Sequence, residues 1–230
     1  VAAAKAAALE SERPIVDLPI EGRRAAVVSL PLGAAGPRPV LVAAHGRDDL
    51  AEPLCETWRK IVNDRGFVLC PRGIPSTTKP GSFTYASDQA LHDEIADGLE
   101  ALRAKWPEHV DVGPVVYSGF SLGSYQGVRV VSREPERTPR VVLIEGGHDP
   151  WTSEMITAFA DGGGDRVLFV TGQATNFDRS RRVARELEQA GIASRVVHAE
   201  GAGHVYTGEV FDRLVEAFPW VVEGDARWQP

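Results

Sequence analysis

From residue 40 onward the apolar positions follow two alternating rhythms. Unbroken apolar runs at 40–44, 67–70, 115–117, 141–144 and 167–170 read as strands buried on both faces, and 195–197 gives a last, shorter one. Between them, apolar residues recur every three or four positions, which predicts helices. The clearest are 53–63, with Leu54, Trp58, Ile61 and Val62 on one side, and 90–105, with Leu91, Ile95, Leu99 and Leu102. Helices are also expected at 122–131, 153–160, 179–190 and 208–222, the last carrying Val210, Leu214, Val215 and Phe218. Upstream, 15–20 and 25–30 are strand candidates joined by a hairpin-like break at Glu21-Gly22-Arg23. Strand and helix thus alternate five times after residue 40. That pattern predicts a doubly wound, mostly parallel α/β sheet with a small antiparallel start. The Gly- and Pro-marked segments 33–39 and 74–86 read as loops. No internal repeat or interdomain linker breaks the pattern, so one domain is expected over 15–222, with tails at 1–14 and 223–230.

Length and composition narrow the function classes. The chain has 230 residues, 43% hydrophobic and 25% charged, as an ordinary globular domain does. With 25 Lys and Arg against 32 Asp and Glu, the net charge is −7, without the basic footprint of a nucleic-acid binder. No apolar run approaches the 18 or so residues of a bilayer span. The expected partner is a small molecule; oligomeric state is left open. The chain opens on Val1 and its one methionine is Met155, as expected of a trimmed start. That leaves a cytoplasmic and an exported protein both open. Cys55 and Cys70 lie on neighbouring elements and are either one disulfide or two buried thiols. No metal-ligand spacing or cofactor fingerprint is present: His148-Asp149 lacks a third ligand, and Gly162-Gly163-Gly164 reads as a loop.

In open α/β sheets, reacting groups sit beyond the carboxyl ends of the strands. After the run 115–117 comes Gly119-Phe120-Ser121-Leu122-Gly123, a G-x-S-x-G pentapeptide between a strand and a helix. Such a turn forces its serine into a strained backbone conformation above the sheet edge, and glycines leave room for neighbouring chain. The following helix directs amide N–H groups toward developing negative charge. Serine needs a base. Of six histidines, His92 and His109 lie on or beside a helix, His198 falls within a strand, and His45 belongs to the loop after residues 40–44. His204, in Gly201-Ala202-Gly203-His204, follows the last strand on a loop of small residues able to swing across the sheet. Ser121 is the expected nucleophile and His204 the expected base.

These motifs, together with His45-Gly46, make the chain resemble the α/β-hydrolase fold superfamily, in its small, cap-less serine-esterase and dienelactone-hydrolase-like group. The resemblance covers residues 15–222. It implies an oxyanion hole made by the backbone N–H groups of Arg47 and Leu122, with His45 as a structural turn residue, and it implies no cofactor. It also implies a carboxylate in a G-x-x-D pattern after residues 167–170. The chain departs from that pattern: the slot holds Thr175, and Asp178 follows three residues later, where it also reads as a helix N-cap. Asp149, after the preceding strand, is the competing acid, and a dyad without a working acid is the third reading. Only about twenty residues separate 144 from 167, too few for a cap domain, so an open pocket is expected. Phe83 and Tyr85 are candidates for its wall, with Phe120 and Leu122 flanking the serine. Arg47 and Arg72 could meet an anionic group, unless Arg72 pairs with Glu145 or Asp149. The expected activity is hydrolysis of a carboxylic ester through a Ser121 acyl-enzyme. A thioesterase or peptidase using the same serine, and a non-catalytic binding protein that keeps the fold, are the competing readings. Serine at the nucleophile position argues against dienelactone hydrolysis, where that subgroup typically uses cysteine.

Overall fold

The apolar runs occupy the middle of an eight-stranded sheet in the computed structural model, which describes residues 6–229. The strands of the chain are β1 (Ile15–Leu18), β2 (Ala26–Ser29), β3 (Val40–Ala44), β4 (Phe67–Cys70), β5 (Ile74–Pro75), β6 (Phe83–Thr84), β7 (Val116–Phe120), β8 (Arg140–Ile144), β9 (Arg166–Thr171) and β10 (Ala193–His198). In the large sheet their spatial order is β1-β2-β4-β3-β7-β8-β9-β10. The first two pairings are antiparallel and the rest parallel. The helices are α1 (Ala51–Val62), α2 (Asp88–Lys105), α3 (Leu122–Val131), α4 (Ser153–Asp161), α5 (Ala174–Gln189) and α6 (Glu209–Val221).

Strand alternation divides the core in two. In β3, Val40, Val42 and Ala44 join the layer containing Leu91 and Ile95 of α2 and Val128 of α3. Leu41 and Ala43 join the layer containing Leu54 and Trp58 of α1 and Leu214 and Phe218 of α6. A strand covered on both faces must be apolar at every position, which explains the unbroken runs. From β3 the chain moves outward to β4 on one side, then returns to lay β7 on the other. The reversal opens a crevice at the carboxyl ends of β3 and β7, where Ala44 pairs with Gly119.

Three departures from the sequence pattern concern this crevice. The loop 74–86 contains a hairpin of β5 and β6, too short to leave a periodic signal. Strand β7 runs on through Ser118, Gly119 and Phe120, beyond the apolar run, where buried Gly119 lets α3 pack closely. Helix α5 begins at Ala174 and not near 179, its polar first turn facing the crevice while Val183, Ala184 and Leu187 carry the apolar periodicity.

The segments flanking 15–222 pack on the same core. Leu9 is buried and exchanges backbone hydrogen bonds with Ala34 and Gly33. Residues 1–5 of the expected lead-in lie outside the described residues. At the other end Ala226–Trp228 forms a 3-10 turn, and Trp228 is buried edge-on against Phe218, ring centroids 5.6 Å apart. Cys55 and Cys70 are free, buried thiols, and burial pushes the Cys70 thiol well above its ordinary range. Among the described residues, no helix is long and apolar enough to cross a membrane.

Candidate active site

Ser121 sits at the junction of β7 and α3 with φ 52° and ψ −110°, a backbone conformation that a side-chain-bearing residue adopts only under constraint. The constraint is visible. The Ser121 N–H donates to the Ile144 carbonyl at 2.9 Å, and the Gly123 N–H to the His45 carbonyl at 3.1 Å. Buried Ser124 donates its hydroxyl to the carbonyls of Gly119 and Ile144, tying the turn to β8. A Cβ on Gly119 would lie 2.5 Å from the backbone of Gly123 and Ser124, and one on Gly123 would collide with the Ala44 carbonyl. The two glycines of the pentapeptide are therefore what lets strand, turn and helix close up.

His204 reaches this serine from the loop after β10. Gly201 and Gly203 both have positive φ, and Gly203 forms a bridge to Gly172 at the end of β9. The loop is thereby folded back over the sheet. Nε2 of His204 lies 2.9 Å from Ser121 Oγ, and the imidazole rests against Phe120 with ring centroids 5.1 Å apart. Phe120 in turn meets Tyr206 edge-on at 4.8 Å, and burial raises the Tyr206 phenol to about 12.

The carboxylate beside His204 belongs to Glu145, the first residue beyond β8. Its side chain is fully buried, and Oε2 lies 3.7 Å from His204 Nδ1. Like Ser121, Glu145 has positive φ, 51°. Its Oε1 accepts from the Gly172 N–H, and Oε2 accepts from the Asn176 amide at 3.0 Å. Burial works against ionisation of this carboxyl, but the nearby His204 imidazole and the hydrogen bonds from Gly172 and Asn176 outweigh it and hold the group below its ordinary range. Nδ1 of His204 also lies 3.3 Å from Oε1 of Gln173.

Neither aspartate singled out in the sequence occupies that place. Asp178 is exposed in the second turn of α5; Gln173, not Asp178, is the cap residue, because the helix starts four residues before Asp178. Among the described residues Asp178 neither hydrogen-bonds nor pairs with His204. The half-exposed Asp149 carboxylate turns to Arg179 at 3.4 Å and to His148 at 3.6 Å. Glu145 had a signal in the sequence: it is the carboxylate immediately after the apolar run 141–144, at the carboxyl end of a central strand. Arg72 does not pair with Glu145 or Asp149. Its guanidinium binds Glu52 at 2.5 Å and Asp17 at 2.8 Å, and stacks on Phe83.

The backbone N–H groups of Arg47, in the loop after β3, and of Leu122, at the start of α3, have no acceptor among the described residues. The loop carrying Arg47 is held from both ends. Buried His45 places its two ring nitrogens 2.7 Å from the Gly46 carbonyl and 3.0 Å from the Arg72 carbonyl, and its backbone N–H donates to the Tyr85 hydroxyl at 3.1 Å. Asp48, with φ 56°, accepts from the hydroxyls of Ser76 and Thr78, and its carbonyl accepts from Lys79 Nζ at 3.1 Å. Asp49 and Phe83 exchange backbone hydrogen bonds. The β5–β6 hairpin is thus strapped to this loop. The site is open: the His204 side chain is 44% exposed. A cavity of about 780 Å³, between α2 and the starts of β7 and β8, lies at the opposite end of the sheet.

No family model matches the chain, and no curated protein matches its sequence. Solved structures do match its shape. A carboxylesterase of Bacillus cereus is 18% identical with a TM-score of 0.62, the match covering 85% of this chain and 93% of that one. A dienelactone-hydrolase-like promiscuous phosphotriesterase from metagenomic libraries is 18% identical, with TM-score 0.63 and coverage of 90% and 92%. Est1E of Butyrivibrio proteoclasticus is 14% identical, with TM-score 0.65 and coverage of 91% and 99%. With its mostly parallel sheet and helices on both faces, the chain has the α/β-hydrolase fold.

Proposed function

We propose that the protein is a serine hydrolase of carboxylic esters, with Ser121 as nucleophile, His204 as general base and Glu145 as the acid that orients it. The observation that carries this reading is the 2.9 Å approach of His204 Nε2 to the hydroxyl of a serine held at positive φ on a strand-to-helix turn. As Ser121 Oγ attacks the ester carbonyl, its proton passes to His204 Nε2. The oxygen that becomes negative is met by the N–H groups of Arg47 and Leu122, donors with no other protein acceptor to give up. Collapse of the tetrahedral intermediate expels the alcohol, which takes the proton from His204. Water then attacks the acyl-enzyme, with His204 again accepting a proton, and releases the acid and free Ser121. Glu145, already ionised, stabilises the imidazolium formed in both steps.

The openness of the site and the shortness of the 144–166 connection favour short or readily accessible acyl groups. Similarity in fold to a carboxylesterase supports the same reading. The test is labelling with a fluorophosphonate, followed by peptide mapping and by hydrolysis of p-nitrophenyl esters of increasing chain length. An adduct on Ser121, lost in Ser121→Ala and slowed in His204→Ala, is the expected result. Absence of an adduct in a well-folded sample would sink the reading.

A further inference from the structure

The acceptor nearest His204 Nδ1 is not the carboxylate. It is the amide oxygen of Gln173, at 3.3 Å, while Glu145 Oε2 stands at 3.7 Å. With Nε2 turned toward a hydroxyl that must lose its proton, Nδ1 carries the ring hydrogen, and two oxygens face that one hydrogen. Both are held by a third side chain. The Asn176 amide nitrogen is 3.0 Å from Glu145 Oε2 and 3.0 Å from Gln173 Oε1, one amide hydrogen for each. Gln173 is the cap residue of α5, yet its side chain makes no capping bond to that helix. Its amide is committed to the crevice instead. Gln173 and Asn176 both lie in Gly172-Gln173-Ala174-Thr175-Asn176, where the expected aspartate is missing and carboxamides stand in its neighbourhood.

We infer that Gln173 is a positioning residue for His204, sharing the Nδ1 hydrogen with Glu145, and that Asn176 holds the two acceptors together. The inference rests on the reading of Ser121 and His204 as nucleophile and base. The two acceptors do different work. A neutral amide fixes the ring's orientation and tautomer, but an ionised carboxylate gives roughly twice as strong a hydrogen bond and also stabilises the imidazolium. A charged group that holds the tautomer is worth up to about 10⁴ in kcat, so a neutral partner for the same hydrogen is expected to be worth about tenfold.

The experiment compares wild type, Gln173→Met, Glu145→Ala, and Glu145→Ala combined with Gln173→Glu. Three quantities are measured on each: kcat and KM on p-nitrophenyl acetate, the rate of Ser121 phosphonylation, and the downfield Nδ1–H proton resonance of His204 in water. Gln173→Met, an exposed substitution of similar shape, is expected to lower kcat about tenfold with KM within about twofold. It should also shift or broaden the Nδ1–H resonance. Adding Gln173→Glu to Glu145→Ala is expected to restore about tenfold in kcat, because it returns a carboxylate to the same nitrogen. Unchanged kcat and an unchanged resonance in Gln173→Met would overturn the inference. If wild type neither labels nor hydrolyses, the hydrolase reading falls, and the resonance in wild type and Gln173→Met still decides whether Gln173 holds that hydrogen.

Discussion

Two residues on the sheet edge, Ser121 and Glu145, combine positive φ with side chains directed at one imidazole. Strain of this kind costs on the order of 1–3 kcal/mol per residue and persists only where surrounding structure enforces it. At Glu145 the enforcement is a backbone bond to Val170 and a carboxylate bound by Gly172 and Asn176. The same contacts make the residue a source of acid sensitivity. Its folded-state ionisation lies below the ordinary value of 4.5, so the unfolded chain binds the proton more readily than the folded one. Stability from this group is therefore complete above the ordinary value and is lost as pH falls through the folded one. Glu145→Gln cannot titrate, and its stability should fall less steeply on acidification than that of wild type. Urea midpoints measured from about pH 6 to about pH 3.5 check this. Parallel curves would mean that Glu145 is not held below its ordinary value.

At the scale of elements, the site depends on pieces that contribute no reacting atom. The β5–β6 hairpin is one. Its sequence reads as a plain loop, since Pro, Ser, Thr and Gly give no periodicity, yet its hydroxyls and Lys79 converge on Asp48, next to Arg47. Hydrogen bonds from Ser76 and then Thr78 hold the Asp48 carboxyl below its ordinary range, so it is ionised at neutral pH. Asp48→Ala releases the hairpin from the turn that aims the Arg47 N–H. Loss of an oxyanion donor costs about 10²–10³ in rate, and with the Arg47 N–H as the proposed donor, misaiming it should cost part of that, about tenfold or more in kcat, with little change in KM. Asp48→Asn keeps an acceptor for one hydroxyl and should recover part of the loss. Steady-state kinetics on the two variants decide the matter; equal kcat in Asp48→Ala and wild type would show that the turn holds its shape without the hairpin.

Over the whole molecule, what could be read from the sequence was whatever repeats. The alternation of apolar runs and helical spacing gives the order of layers, because burial on both faces leaves a strand no polar position. Ser121 and His204 stand out because each sits in a short, glycine-bounded segment after a strand. Glu145 does not: one carboxylate after a strand resembles any other until the fold shows which points at the histidine. The C-terminal segment carries no sequence signal for a related reason. Residues 223–230 are short and mixed in polarity, and the one large apolar residue among them, Trp228, lacks a periodic neighbour. Trp228 nevertheless packs into the layer under α1 and α6, against Phe218 and over Gly66, where a Cβ would come within 2.8 Å of its ring. Arg227 pins the turn through Asp111 at 2.9 Å and Asp225 at 2.6 Å, and these contacts outweigh its partial burial in raising its ionisation above the ordinary value. Truncation of a buried tryptophan costs about 3–5 kcal/mol, a large part of the 5–15 kcal/mol that stabilises a typical domain. Trp228→Ala should therefore lower the urea midpoint sharply while leaving Ser121 phosphonylation of the folded fraction at its wild-type rate, since the turn lies at the amino ends of the strands, by Gly66 and Pro114. A midpoint within error of wild type would show that the C-terminal segment rests on the core without contributing to it.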